Sequence, residues 1–111
     1  MKHIISKILT KKPRLTEYGM ETDLTTERYK RNREYLLNDT DEFKTYCEFI
    51  KKCKLSKTIN YSLNSYNWKH KVEKQANMYI PNGAFIAAAI HLDVPYEIDG
   101  RRPNVFLALA E

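Results

Sequence analysis

The chain is poor in glycine, with three in 111 residues. That scarcity disfavours an all-β barrel or sandwich, whose many turns call for residues without a side chain. It also leaves no glycine-rich loop of the kind that cradles phosphates. Cysteine is limited to Cys47 and Cys53. Six apart on a helix, they turn well away from each other, so a disulfide between them would need a distorted backbone. No second pair exists to complete a zinc site. Two free thiols fit a reducing cytoplasm, and both read as core residues. Long apolar runs are missing too. The longest, Ala84 to Ile90, falls far short of the ~20 residues that span a membrane. The opening MKHIISKILTKK has a basic flank, but Ser6 and Lys7 interrupt its apolar residues. No small-residue cleavage site follows, which makes it a poor secretory signal. The serines sit in no nucleophile elbow. These absences point to a cytoplasmic protein without a membrane span, metal or cofactor.

What the chain does contain is ordinary for a globular domain. The apolar fraction is 42%, the charged fraction 30%, and there are eight Tyr, four Phe and one Trp. Disordered chains carry fewer aromatics, and this length supports one core and not two. The net charge of +5 is uneven: residues 1–14 carry +5, 15–48 carry −4, 49–78 carry +6 and 79–111 carry −2. Alternating blocks of this kind can mark a surface that faces a polyanion.

Along the chain, residues 2–12 have the spacing of a short amphipathic helix, with Ile4, Ile5, Ile8 and Leu9 on one face. The stretch TEYGMETD has no period and reads as a linker. Asp23 or Thr25 is a plausible cap for a helix reaching Leu37, although TERYKRNRE is polar nearly all round. Asp39 and Glu42 are spaced like a capping box, followed by Phe43, Tyr46, Cys47 and Ile50 at helical offsets. SKTINYSLNSY, rich in Ser and Asn, reads as a loop. Asn64 or Ser65 caps a helix through Asn77 with Trp68, Val72 and Ala76 on its apolar face. Pro81 and Asn82 open another helix, where proline is tolerated and asparagine caps well. Its body GAFIAAAIHL is apolar nearly all round and so belongs in the interior. Asp99 and Gly100 between Tyr96–Ile98 and Val105–Leu109 give a hairpin signal.

Three constellations invite a functional reading. The order helix 65–77, turn, helix 82–92 and hairpin is that of a winged helix, but a base-reading helix needs polar side chains. This one offers only Asn82 and His91. A second is cationic: Lys51, Lys52, Lys54, Lys57, Lys69, Lys71 and Lys74, with Arg101 and Arg102 in the hairpin turn. Lysines near phosphate bind it without regard to sequence. Tyr61, Tyr66, Trp68 and His70 would stack on bases if their rings reach solvent. The third is His70 with Glu73, one helical turn apart, an acid–base couple or part of a metal site. It lacks a third strong ligand and any two-His spacing.

At SYNWKHKVEK and YIPNGAFIAAAIHL the chain resembles a group of short proteins encoded by phages, plasmids and other bacterial mobile elements. The shared pattern falls on Ser65, Tyr66, Lys69, His70, Glu73, Tyr79, Ile80 and Asn82 to Ala89, with Pro103 and Asn104 before a strand. It covers residues 23–109. The resemblance carries over no functional residue. It implies a setting, a bacterial cytoplasm, and the roles of accessory genes there, such as control of transcription or disarming host defence in the manner of anti-CRISPR inhibitors.

The expected architecture is α+β and predominantly α-helical: a basic N-terminal helix and linker over 1–22, then one compact helical domain over 23–111 with a C-terminal β-hairpin. The expected function is non-enzymatic binding of nucleic acid or a nucleoprotein complex through Lys51, Lys52, Lys54, Lys57, Lys69, His70, Lys71, Lys74, Arg101 and Arg102, with no small-molecule substrate. One alternative is an inhibitor of a host defence complex acting through the N-terminal helix and the acidic 15–48 block. Another is a small enzyme using His70 and Glu73.

Overall fold

The structure is a computed structural model that describes residues 1–100 and 102–110. Along the chain run α1 (Lys2–Lys11), β1 (Leu15–Thr16), β2 (Gly19–Met20), α2 (Glu27–Asn38), α3 (Thr40–Lys52), β3 (Lys54–Asn64), α4 (Ser65–Ala76), α5 (Asn82–His91), β4 (Tyr96–Ile98) and β5 (Val105–Ala110). The fold is α+β and mostly helical. No described helix is long and apolar enough to cross a membrane.

Helix α5 is the interior rod that its composition predicts. Every residue from Asn82 to Ala89 is buried, and α1, α3, α4 and the β1–β2 hairpin all pack on it. The alanines let these neighbours come close, while Phe85 meets the edge of Tyr46 at 5.0 Å between ring centroids. Tyr46 can be buried because its hydroxyl donates to the Ile80 carbonyl at 2.9 Å. Asn82 does not cap the helix as expected. Pro81 holds the cap position, and the Asn82 side chain instead donates to the Tyr18 carbonyl and to Asn104 Oδ1.

The stretch TEYGMETD is no linker. Thr16 pairs with Gly19 and Leu15 with Met20 in an antiparallel hairpin, whose Leu15, Thr16, Gly19 and Met20 are buried. Nothing in the local sequence announces it because tertiary contacts hold it: Gly83 N donates to Glu17 O, and Met20 N to Pro103 O, each at 2.8 Å. Helix α1 docks through Ile5, Ile8 and Leu9, which join the same core as α5.

Two expected caps move. Helix α2 is capped by Thr26, whose hydroxyl accepts from Tyr29 N at 3.0 Å, while Asp23 binds Thr25 instead. Asp39 stands at the start of α3 without a side-chain capping bond, its carboxyl being engaged with Glu17. The Asn64 cap of α4 is present as a reciprocal box with Asn67. Among the described residues no disulfide joins the cysteines; Cys47 is buried and Cys53 partly so, its Sγ 3.5 Å from Phe49 O.

The expected loop over 56–66 is mostly strand. β3 pairs antiparallel with β5, which also pairs with β4, giving the order β3-β5-β4. The register runs Leu55↔Leu109, Asn60↔Leu107, Asn64↔Phe106, so β3 bulges twice. Each bulge interrupts the alternation of apolar and polar residues that marks a strand. Ser and Asn suit those sites because their side chains bind the irregular backbone: Asn60 Nδ2 donates to Leu109 O, and Ser62 N to Asn60 Oδ1. The C-terminal hairpin therefore exists, but its second strand is the centre of a sheet and not a free wing.

Candidate functional site

The lysines fall into unlike environments. Lys51 and Lys52 end α3, Lys54 and Lys57 begin β3, and Lys74 lies on α4, all exposed; Lys71 is partly exposed on α4. Among the described residues, none of Lys51, Lys52, Lys54, Lys57 or Lys74 pairs with a carboxylate. Lys52, Lys71 and Lys74 come together around a groove of about 520 Å³ whose other lining residues are Phe49, Cys53, Trp68 and Gln75. The floor is apolar: Phe49 and Trp68 meet edge to face at 6.2 Å. Trp68 Nε1 is buried without a hydrogen-bond acceptor. Of the aromatics expected to reach bases, Tyr61 and Tyr66 are exposed at 62% and 46%, whereas Trp68 is fully buried and meets the groove only from below.

Strand register separates the hairpin from this groove. Phe106 pairs with Asn64 and Ala110 with Lys54, about 14 Å apart along β5, and the β4–β5 turn carrying exposed Arg102 lies beyond Phe106, at the α4 end of β3 and away from Lys54. Arg101 lies outside the described residues.

Lys69 does not belong to the cationic surface. It is 7% exposed, turned to the opposite side of α4 from Trp68 and Lys71. Its Nζ lies 5.0 Å from the Tyr66 ring centre and 4.9 Å from that of Tyr79, with Glu73 Oε1 3.7 Å away. The same oxygen is 3.3 Å from His70 Nδ1, and Glu73 Oε2 accepts from Ile80 N at 3.4 Å. Glu73 is thus a hub that ties α4 to the segment before α5. His70 is on the outside, edge-on to Tyr66 at 4.4 Å, and lines neither the groove at Trp68 nor the cleft at Lys69.

Beside Lys69 opens a second cleft, of about 350 Å³, lined by Glu17, Tyr18, Tyr66, Lys69, Tyr79, Asn82, Pro103 and Asn104. Six of these eight residues belong to the sequence pattern that carries the resemblance. The other two, Glu17 and Tyr18, come from the β1–β2 turn.

Behind Glu17 stands Asp39. Burial, a hydrogen bond to the Glu17 side chain and the charges of Glu17 and Glu42 push its carboxyl up to about 8 from 3.8. Asp39 is therefore still protonated in the folded state between pH 4 and 8, where it is ionised in the unfolded chain. The contribution of Asp39 to stability is greatest below pH 4, falls as pH rises to about 8 and is level above that. In Asp39→Asn the amide donates to Glu17 at any pH, so this decline should vanish. Because Asp39 is half exposed, screening holds the gain at pH 9 to about 1–2 kcal/mol. Urea midpoints of both proteins from pH 4 to 9 check this; parallel curves would show that the Asp39 carboxyl is not raised.

No protein-family model, curated protein or solved structure matches the chain. Functional assignment therefore rests on the two clefts flanking α4.

Proposed function

We propose that the protein binds single-stranded nucleic acid, without chemistry, through the groove between α3 and α4, as an accessory protein of a mobile element. The observation that carries this is the placement of Lys52, Lys71 and Lys74 around an apolar floor made by Phe49, Cys53 and Trp68. Cations beside the groove attract a phosphate backbone, and an apolar groove takes up unstacked bases. The buried α5 presents no side chains to a duplex groove, which favours a single strand over base readout. The docked α1, with Ile5, Ile8 and Leu9 inside the core, keeps little apolar surface for the inhibitor role.

Trp68, the one tryptophan, reports directly on the groove. Titration with single-stranded oligonucleotides should change its emission and give a log K against log[salt] slope of about −2 for three contacts. Replacing Lys52, Lys71 and Lys74 together with Ala should weaken binding more than tenfold and flatten that slope. Equal binding by this variant, or affinity indifferent to salt, would sink the proposal. Capture of a host protein complex that survives nuclease would favour the inhibitor reading instead.

A further inference from the structure

The cleft on the other side of α4 is lined by two buried polar side chains, Lys69 and Asn82. Lys69 is 7% exposed, yet its nearest carboxylate oxygen is 3.7 Å away, beyond hydrogen-bond length. Its ammonium is held by this ion pair and by the Tyr66 and Tyr79 rings, and an acceptor in the cleft would complete its donors. Asn82 is 6% exposed. Its amide is oriented by donation to Tyr18 O at 3.1 Å and Asn104 Oδ1 at 3.0 Å, which leaves Oδ1 buried without a donor. Such groups in a folded protein call for a partner. Behind the cleft, Gly19 packs so closely on Pro103 that a Cβ there would lie 2.3 Å from the Pro103 carbonyl oxygen. Three tyrosines edge the opening, with Tyr18, Tyr66 and Tyr79 exposed at 54%, 46% and 70%.

The chemistry narrows the ligand. A phosphate would meet the Glu17 carboxylate. An ammonium or guanidinium group would meet the Lys69 charge and could accept nothing from it. A sugar or a plain hydrocarbon would leave either the flat tyrosine rings or the polar groups poorly matched. The fitting shape is planar and aromatic, with an amino N–H donor for Glu17 and a ring nitrogen or carbonyl acceptor for Lys69. We propose that this cleft between the β1–β2 turn, α4 and the start of α5 binds one nucleobase, stacked on Tyr79.

The base has two possible sources, a free nucleoside or an unstacked position in a bound strand. Only the second rests on the function proposed for the lysine groove. The test is a titration of the full-length ¹⁵N-labelled protein, following the side-chain amides of Asn82 and Asn104 and the backbone amide of Tyr18. Adenosine, guanosine, cytidine and uridine are added separately, with ribose as a control. A matched pair of short oligonucleotides follows, one of them abasic at a single position. At least one nucleoside, or the intact oligonucleotide but not its abasic twin, should shift these signals to saturation. The first result names a free ligand and the second a strand.

Tyr79→Ala alters an exposed residue and should fold. It should weaken the response about tenfold through lost stacking. Lys52→Ala lies across α4 and should leave nucleoside binding unchanged, which separates failure of this site from failure of the groove. Silence with every nucleoside and oligonucleotide, equal shifts with ribose, or an undiminished response in Tyr79→Ala would overturn the assignment.

Discussion

Gly83→Ala should cost at least about 3 kcal/mol of stability, a large share of what a domain this size has. A Cβ at this position would lie 1.8 Å from the Thr16 carbonyl oxygen and 2.8 Å from Glu17 Cα. These are backbone atoms of the β1–β2 hairpin, and no rotamer change can relieve them. The hairpin must withdraw, which breaks the 2.8 Å bond from Gly83 N to Glu17 O and uncovers Leu15 and Met20. In an ordinary exposed helix the same change stabilises by about 1 kcal/mol, because alanine is the better helix former. The two mechanisms therefore predict opposite signs, and a denaturant titration decides between them. A midpoint at or above that of the parent would show that the hairpin is not seated on α5 as described. The same variant should lose the cleft lined by Glu17 and Tyr18.

Arg33→Ala should destabilise by about 2–4 kcal/mol and loosen α1 first. The Arg33 guanidinium donates to Leu9 O at 2.9 Å, Pro13 O at 3.0 Å, Leu15 O at 3.1 Å and Lys12 O at 3.3 Å. Leu9 and Lys12 are at the C-terminal end of α1, where carbonyls lack helical partners and a cation is favoured. Tyr29 adds a hydrogen bond from its hydroxyl to Pro13 O. Together they fasten α1 and the first strand of the hairpin to α2. Amide exchange should show α1 opening well before α3 or α5 in the variant. Arg33→Lys should recover only part of the loss, since one ammonium cannot span four carbonyls in a plane. Arg31→Ala, at an exposed position of the same helix, should stay within about 0.5 kcal/mol of the parent. Uniform protection loss over the whole chain would contradict a local clamp.

These two residues also show where reading the sequence stops. Helix α2 looks unpromising because TERYKRNRE has almost no apolar face, and only Leu36 is buried in it. Its polarity makes sense once Arg33 and Tyr29 are seen binding another segment's backbone. Likewise Asp39 and Glu42 have the spacing of a capping box, but Glu17, remote in sequence, engages Asp39 instead. Strand β3 is hidden by its two bulges, and the β1–β2 hairpin by strands too short to show a period.

The candidate sites were legible to different degrees. The lysine cluster was visible as a charge block, and Lys52, Lys71 and Lys74 do converge. Lys69 belongs to the same charge block but not to the groove, because charge composition says nothing about which way a side chain turns. The second cleft was legible as a pattern, Tyr66, Lys69, Tyr79, Asn82, Pro103 and Asn104, but not as a place, because its remaining wall comes from the turn at Glu17 and Tyr18.

What the amino-acid order determined alone is what acts within a few residues: the amphipathic period of α1 and α3, the Asn64 cap of α4, and the interior place of α5, which has no polar face to offer water. What only the folded molecule decided is what depends on segments far apart in the chain. Those are the seating of the hairpin on Gly83, the reach of Arg33 across to α1, and the burial of Lys69 between two tyrosines. Local rules govern backbone shape, because hydrogen bonds in helices join near neighbours. Burial and pairing of a charge are set by whichever distant surface comes to lie against it.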